Sequence, residues 1–288
     1  MISIPLHPPL HPRMPSGADR GDALAQAKSA LNAQRPQDAQ RLAETVLKAD
    51  PRDAKALHVL GCALLMQGRA NDAVVPLESA ARSLRDPETD TLLAIALRQG
   101  GRPEDALSRL KRATKRQPPY AAAFHELGYL LFFLKRYDDA IEALRRGVEI
   151  APMMPEMSIQ LGYVFLRCRN CAEAKIAFAR ALGISPASPD ALYGMAKSHH
   201  ELGENEAAAA YLRRYLAVKP ADASAWLRLG HCLLDLGQSD AGFDCFRRAA
   251  RGDQTHYANA LTSLASSSNG RFWLKPSEAA RYLRGSKS

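Results

Sequence analysis

Apolar residues recur along the chain at the three-and-four spacing of amphipathic helices, and the helical stretches themselves recur. A frame of 34 residues opened at Ala121 repeats without slippage at Pro155, Pro189 and Ala223. Backwards, it continues at Pro87, at Ala54 in a copy one residue short, and at Arg20. The pattern predicts seven copies: residues 20–53, 54–86, 87–120, 121–154, 155–188, 189–222 and 223–256.

Within a copy, side-chain size is specified as closely as polarity. Position 8 is always small, with Gly61, Gly128, Gly162 and Gly230, and with Ala27, Ala94 and Ala196 in the other copies. Position 20 is small again, at Ala39, Ala73, Ala106, Ala140, Ala174, Ala208 and Gly242. Two antiparallel helices close on each other only where facing side chains are small, so these positions predict the notch of a helical hairpin. Position 24 is bulky at Leu77, Leu110, Leu144, Phe178, Leu212 and Phe246, failing only at Ala43, and is expected to fill the space between hairpins. Gly68, Gly101, Gly203 and Gly237 at position 15 mark the turn. Pro51, Pro118, Pro152, Pro186 and Pro220 at position 32 stop the second helix.

These residues resemble the tetratricopeptide repeat (TPR) family over about residues 20–256. The resemblance implies an all-α, right-handed superhelical solenoid of TPR helix-turn-helix repeats, with first helices lining an inner groove at positions 2, 5, 9, 12 and 13. Here those positions include His58, Cys62 and Met66, then His125, Tyr129, Phe132 and Phe133. Further along they hold Tyr163 and Arg167, Tyr193, Lys197 and His200, and Leu227 and His231. Tyr and His combine an apolar ring with a hydrogen-bonding tip, which suits an extended peptide or a partner helix. Any single one of these aromatics has two readings, facing a partner in the groove or packing against the neighbouring repeat, and the cluster as a whole favours the groove. The carboxylate-clamp version of the groove requires paired Lys and Asn, and Leu24 with Lys28, His58 with Cys62, and His125 with Tyr129 do not supply them.

The ends change the picture. The proline-rich opening, residues 1–19, reads as a disordered tail without the charged start and apolar run of a signal peptide. Residues 257–265 read as a capping helix, and residues 266–288 as a basic tail, separable from the fold, with a short helix from Pro276. Of the formal net charge of +9, residues 245–288 carry +6, from eight basic and two acidic side chains. That stretch holds Arg247 to Lys287 with Phe272 and Trp273, and it suggests an alternative in which the chain binds nucleic acid or an anionic surface.

Five scattered cysteines form no disulfide framework, and no run of about 18 apolar residues occurs, so a cytoplasmic protein without a membrane span is expected. Cys168 and Cys171 fall at the turn of the fifth copy with no second ligand pair. His199 occupies a core position and is expected to be packed and hydrogen-bonded. His7 and His11 straddle Pro8 and Pro9. With no glycine-rich phosphate loop, nucleophile elbow or paired carboxylates, the chain reads as a non-enzyme needing no cofactor or metal. The functional expectation is a scaffold for protein–protein interaction, or a non-catalytic subunit of a separately encoded enzyme.

Overall fold

The computed structural model describes residues 17–251, 254–266 and 276–284, and among these every regular element is helical. The chain divides into two compact units between Leu130 and Leu131. The first contains α1 (Gly17–Asn32), α2 (Pro36–Ala49), α3 (Ala54–Met66), α4 (Ala70–Leu84), α5 (Pro87–Gln99) and α6 (Pro103–Ala113). The division falls inside α7 (Ala121–Phe133). The second contains α8 (Tyr137–Ile150), α9 (Pro155–Arg167), α10 (Cys171–Ile184), α11 (Pro189–Glu201), α12 (Asn205–Val218), α13 (Ala223–Asp235) and α14 (Ser239–Ala249). It closes with α15 (Gln254–Ser266) and α16 (Pro276–Arg284).

Each helix packs on the next, from α1 to α6 in the first unit and from α8 to α16 in the second. First helices also meet first helices: α1 touches α3 and α3 touches α5, while α9 touches α11 and α13 touches the cap helix α15. Between α11 and α13 the link is made by side chains, Arg228 donating to the Tyr193 hydroxyl, so first helices of neighbouring hairpins share a face. Entry into these helices is set locally, because Asp53, Asp86, Ser188 and Asp222 accept from backbone amides of the first turn and satisfy otherwise orphaned donors.

The hairpin turns have a common backbone. Gly68, Gly101, Gly203 and Gly237 have φ between 73° and 80°, as the glycine pattern anticipates. Gln34, Lys135 and Arg169 occupy the equivalent turn in other copies with φ of 56°, 59° and 58°, so the left-handed conformation is kept where glycine is absent. Arg85, also left-handed at φ 52°, ends α4 and delivers the chain to Asp86 and α5, which accounts for the copy that is one residue short.

The interior follows the size pattern. Leu77, Leu144, Phe178 and Phe246 are fully buried. The closeness is greatest around Phe178: a Cβ on Gly162 would lie 2.7 Å from its ring, and a Cβ on Gly194 of the following first helix 2.3 Å from it. In the last repeat a Cβ on Gly242 would come within 3.0 Å of the Gly230 carbonyl, so the two small positions do face each other.

Two features were not visible as repeats. Asp90, 0% exposed, is reached by Arg112 at 3.1 Å and Arg116 at 2.8 Å, with Arg109 at 3.8 Å, and so ties α5 to α6 and the turn beyond it. At the other end, α16 is not an appendage beyond the cap. Ala279 and Leu283 are buried in one cluster with Phe243, Phe246, Ala260 and Leu264, and Arg247 donates to the Tyr282 hydroxyl at 2.8 Å. The short helix expected to be separable is thus half of the cap, because α15 alone leaves part of the apolar face of α14 uncovered.

Candidate partner-binding face

The first-helix face of the second unit carries most of the residues expected in the groove. Tyr193 of α11 stands at its centre, its ring tilted against Tyr215 of α12 at 5.2 Å between centroids. Its phenolic oxygen accepts from Arg228 Nε of α13 at 2.6 Å, and the Arg228 guanidinium lies 5.7 Å from the ring centroid. Lys197, one turn along α11, lines the same small depression with His200, Arg228 and Cys232. Asn205 Oδ1 accepts from His200 Nδ1 at 3.2 Å and its Nδ2 donates to Asp235 at 3.1 Å, extending the polar rim. The result is an aromatic ring bordered by two cations.

Tyr163 occupies the face differently. Its hydroxyl donates to the Asp190 carbonyl at 3.0 Å, and its ring meets Phe178 edge-on at 5.1 Å. Burial pushes its phenol well above the ordinary range. Tyr163 therefore holds α9 to the start of α11, the packing reading of the two that the sequence allowed. Tyr215 does comparable work: it donates to Asp222, the residue that caps α13, at 2.6 Å.

The remaining candidates are dispersed. His231 of α13 packs edge-on against Phe246 at 5.1 Å, and its Nε2 lies 3.2 Å from Ser263 Oγ of the cap. Burial lowers its pKa. Arg167 is exposed at the end of α9, and Phe133, 59% exposed, meets Phe132 edge-on at 5.6 Å. In the first unit, Tyr129 lies under the Arg98 guanidinium at 4.7 Å, while Arg98 also pairs with Glu126 at 3.5 Å. His125 Nδ1 lies 3.8 Å from Glu126. His58 sits deeper, where Nδ1 meets Thr89 Oγ1 at 2.8 Å and burial lowers its pKa.

Sequence reasoning missed Arg228, because its position in the repeat is not among those the resemblance assigns to the groove. His199 stacks on Tyr211 at 5.3 Å and its Nδ1 bonds Glu204, which also receives Lys175. Cys168 and Cys171 flank the α9–α10 turn as free thiols. Among the described residues no group of three or more His, Cys, Asp or Glu is placed to hold a metal, and no helix is long and apolar enough to cross a membrane. His7, His11, Phe272 and Trp273 lie outside the described residues.

Solved structures resemble the chain in fold. A PilF structure from Pseudomonas aeruginosa superposes with a TM-score of 0.64 at 21% identity, covering 74% of this chain and all 100% of that one. A tetratricopeptide repeat protein from Parabacteroides merdae gives 0.59 at 15% identity, with 93% and 100% of the two chains covered. A thermophilic TPR protein from Thermus thermophilus gives 0.52 at 26% identity, over 62% of this chain and 98% of that one. No curated protein matches the sequence. The family described as tetratricopeptide repeat matches residues 24–87, 91–155, 159–217 and 193–257, most of the chain. With its helical hairpins stacked as described, the chain belongs to the tetratricopeptide repeat family, an all-α repeat solenoid of the kind that serves as a protein-interaction scaffold.

Proposed function

We propose that the chain is an adaptor that binds an extended or helical segment of a partner protein along the first-helix face of α9, α11 and α13. The observation that carries this reading is the Tyr193 ring with Arg228 bonded to its hydroxyl and Lys197 one turn away. An apolar flat surface with fixed cations at its edge suits a segment that presents an apolar side chain beside a carboxylate. Tyr129 under Arg98 offers the same chemistry in the first unit. Binding of this kind asks for no cofactor, and the scaffold reading also covers service as a non-catalytic subunit of a separate enzyme.

The nucleic-acid alternative draws less support from the described basic residues near the C-terminus. Arg247 is engaged by Asp244 at 2.8 Å and by the Tyr282 hydroxyl at 2.8 Å. A direct test places a photo-crosslinking amino acid at Lys197 and, separately, at Ile176, which is 65% exposed on the second helix α10. The adaptor reading expects discrete partner adducts from Lys197 in the native cell and not from Ile176. Identical adduct patterns at both positions would remove the first-helix face as the binding site.

A further inference from the structure

The second helices of this chain carry a site of their own, and it arises from a defect in the repeat. Where α12 follows α10, the gap between them is filled: Tyr211 stacks on His199 at 5.3 Å with ring planes 15° apart. Arg214 lies over that tyrosine at 5.4 Å and donates to the Pro186 carbonyl at 3.1 Å. One repeat later the same positions hold Cys245 for Tyr211, Leu233 for His199 and Arg248 for Arg214. The ring is gone. In its place, between α12 and α14, is a cavity of about 490 Å³, continuous through Pro220, Trp226, Asp244 and Arg248 with a second depression of about 460 Å³.

The lining is amphipathic in an ordered way. Leu216, Leu229 and Leu233 with the buried Cys245 form the floor. Trp226 forms a wall, fixed by its indole N–H donating to the Pro220 carbonyl at 2.9 Å, the acceptor that Arg214 uses at Pro186 in the preceding repeat. Arg248 is thereby released to lie over the indole at 4.6 Å. Arg213 and Arg251, both exposed, complete the rim, and neither has a carboxylate partner among the described residues. Asp244 is already paired with Arg247. The rim is therefore left cationic.

We infer that this cleft binds an acidic segment of a partner protein through one aromatic side chain, which takes the place that Tyr211 occupies one repeat earlier while flanking carboxylates pair with Arg213, Arg248 and Arg251. The commitment to a peptide rests on the floor. A nucleobase buried there would find its polar edges facing three leucines and a thiol, at the cost of unmade hydrogen bonds, whereas a phenyl ring loses nothing. The carboxylates are specified by charge complementarity at the rim. This site is independent of the first-helix face proposed above and uses none of its residues.

The test uses the full chain carrying Trp273→Phe, so that Trp226 is the sole tryptophan and reports on its own wall. The probe is a short synthetic peptide of Asp, Glu and Ser with one central Phe. It should change the Trp226 emission saturably, and replacing its Phe by Ala should weaken binding by about tenfold or more. Cys245→Tyr restores the filled arrangement of the preceding repeat and should abolish binding, while Ile176→Glu at an exposed position of α10 should leave it unchanged. Should Cys245→Tyr fail to fold, Arg213→Glu with Arg251→Glu decides the matter at the exposed rim, and is expected to weaken binding by a similar factor. Equal binding of the Phe and Ala peptides would overturn the proposal. So would binding retained in a folded Cys245→Tyr or in the double arginine variant, or an oligothymidylate that binds as tightly as the peptide and responds to the same substitutions.

Discussion

Arg228 in α13 donates its Nε–H to the Tyr193 hydroxyl in α11 across the first-helix face, at 2.6 Å. Tyr163, on the same face, spends its hydroxyl on the α11 backbone instead. The two tyrosines should therefore separate in experiment. Tyr163→Ala removes packing on Phe178 as well as a hydrogen bond and is expected to cost about 2 kcal/mol or more in urea unfolding. Arg228→Ala removes an exposed contact worth less than about 1 kcal/mol and should leave the unfolding midpoint nearly in place. Crosslinking from Lys197 should nevertheless fall in the Arg228 variant. A midpoint shift as large as that of Tyr163→Ala would mean Arg228 is structural.

Phe178 and Gly194 form a matched pair, since a methyl on Gly194 would stand 2.3 Å from the ring. Gly194→Ala in the native background should cost about 1–3 kcal/mol through overpacking, despite the better helix propensity of alanine. With Phe178→Leu, as at the same position of other repeats, the Gly194→Ala penalty should shrink or vanish. A double-mutant cycle on urea midpoints measures this coupling, and simple additivity would show that the contact relaxes by other means.

Asp90 is a carboxylate with no exposure and three arginines around it. Asp90→Ala strips the charge and leaves Arg116 facing an apolar site, for which about 3–5 kcal/mol of lost stability is expected. Since α5 and α6 are held together by this group, protease cleavage near Arg112 and Arg116 should accelerate in parallel. A variant as stable as the parent would reduce the cluster to a surface ion pair.

The thiols should divide by their surroundings. Burial pushes Cys62 up to about 12 and Cys245 up to about 11, so at pH 8 both are almost wholly protonated. Alkylation needs the thiolate, and the rate at these two should therefore keep rising about tenfold per pH unit to pH 10 and beyond. Exposed Cys168 should be modified first at pH 8, as read by mass spectrometry of iodoacetamide adducts. Early labelling of Cys62 would show that its helix opens.

The left-handed turns offer a stabilising change. Arg169 holds φ at 58° where four other repeats use glycine, and side chains pay about 1–2 kcal/mol for that conformation. Arg169→Gly should raise stability by about 0.5–1 kcal/mol after the added freedom of the unfolded chain is deducted. Gly203→Ala should lower it by a comparable amount. Thermal unfolding followed by circular dichroism compares the two, and stabilisation by both or neither would exclude the turn conformation as the cause.

What the sequence determined by itself was the repeat. Small residues at Gly162 and Ala174, bulk at Phe178, a turn at Gly203 and a stop at Pro220 are local requirements of a helix pair, repeated often enough to be read without coordinates. The tertiary structure decided the partners. That Asp90 draws arginines from the next helix and its turn, that Tyr163 bonds the α11 backbone while Tyr193 takes Arg228 of α13, and that Ala279 and Leu283 of α16 complete the cap all depend on residues about 20 to 40 positions apart. Such pairings follow from how each hairpin sits on its neighbour, and a pattern of apolar and polar positions does not encode that angle. The cleft at Trp226 is the sharpest case, for Cys245 reads as an ordinary buried residue until the stacked Tyr211 of the preceding repeat shows which side chain its place lacks.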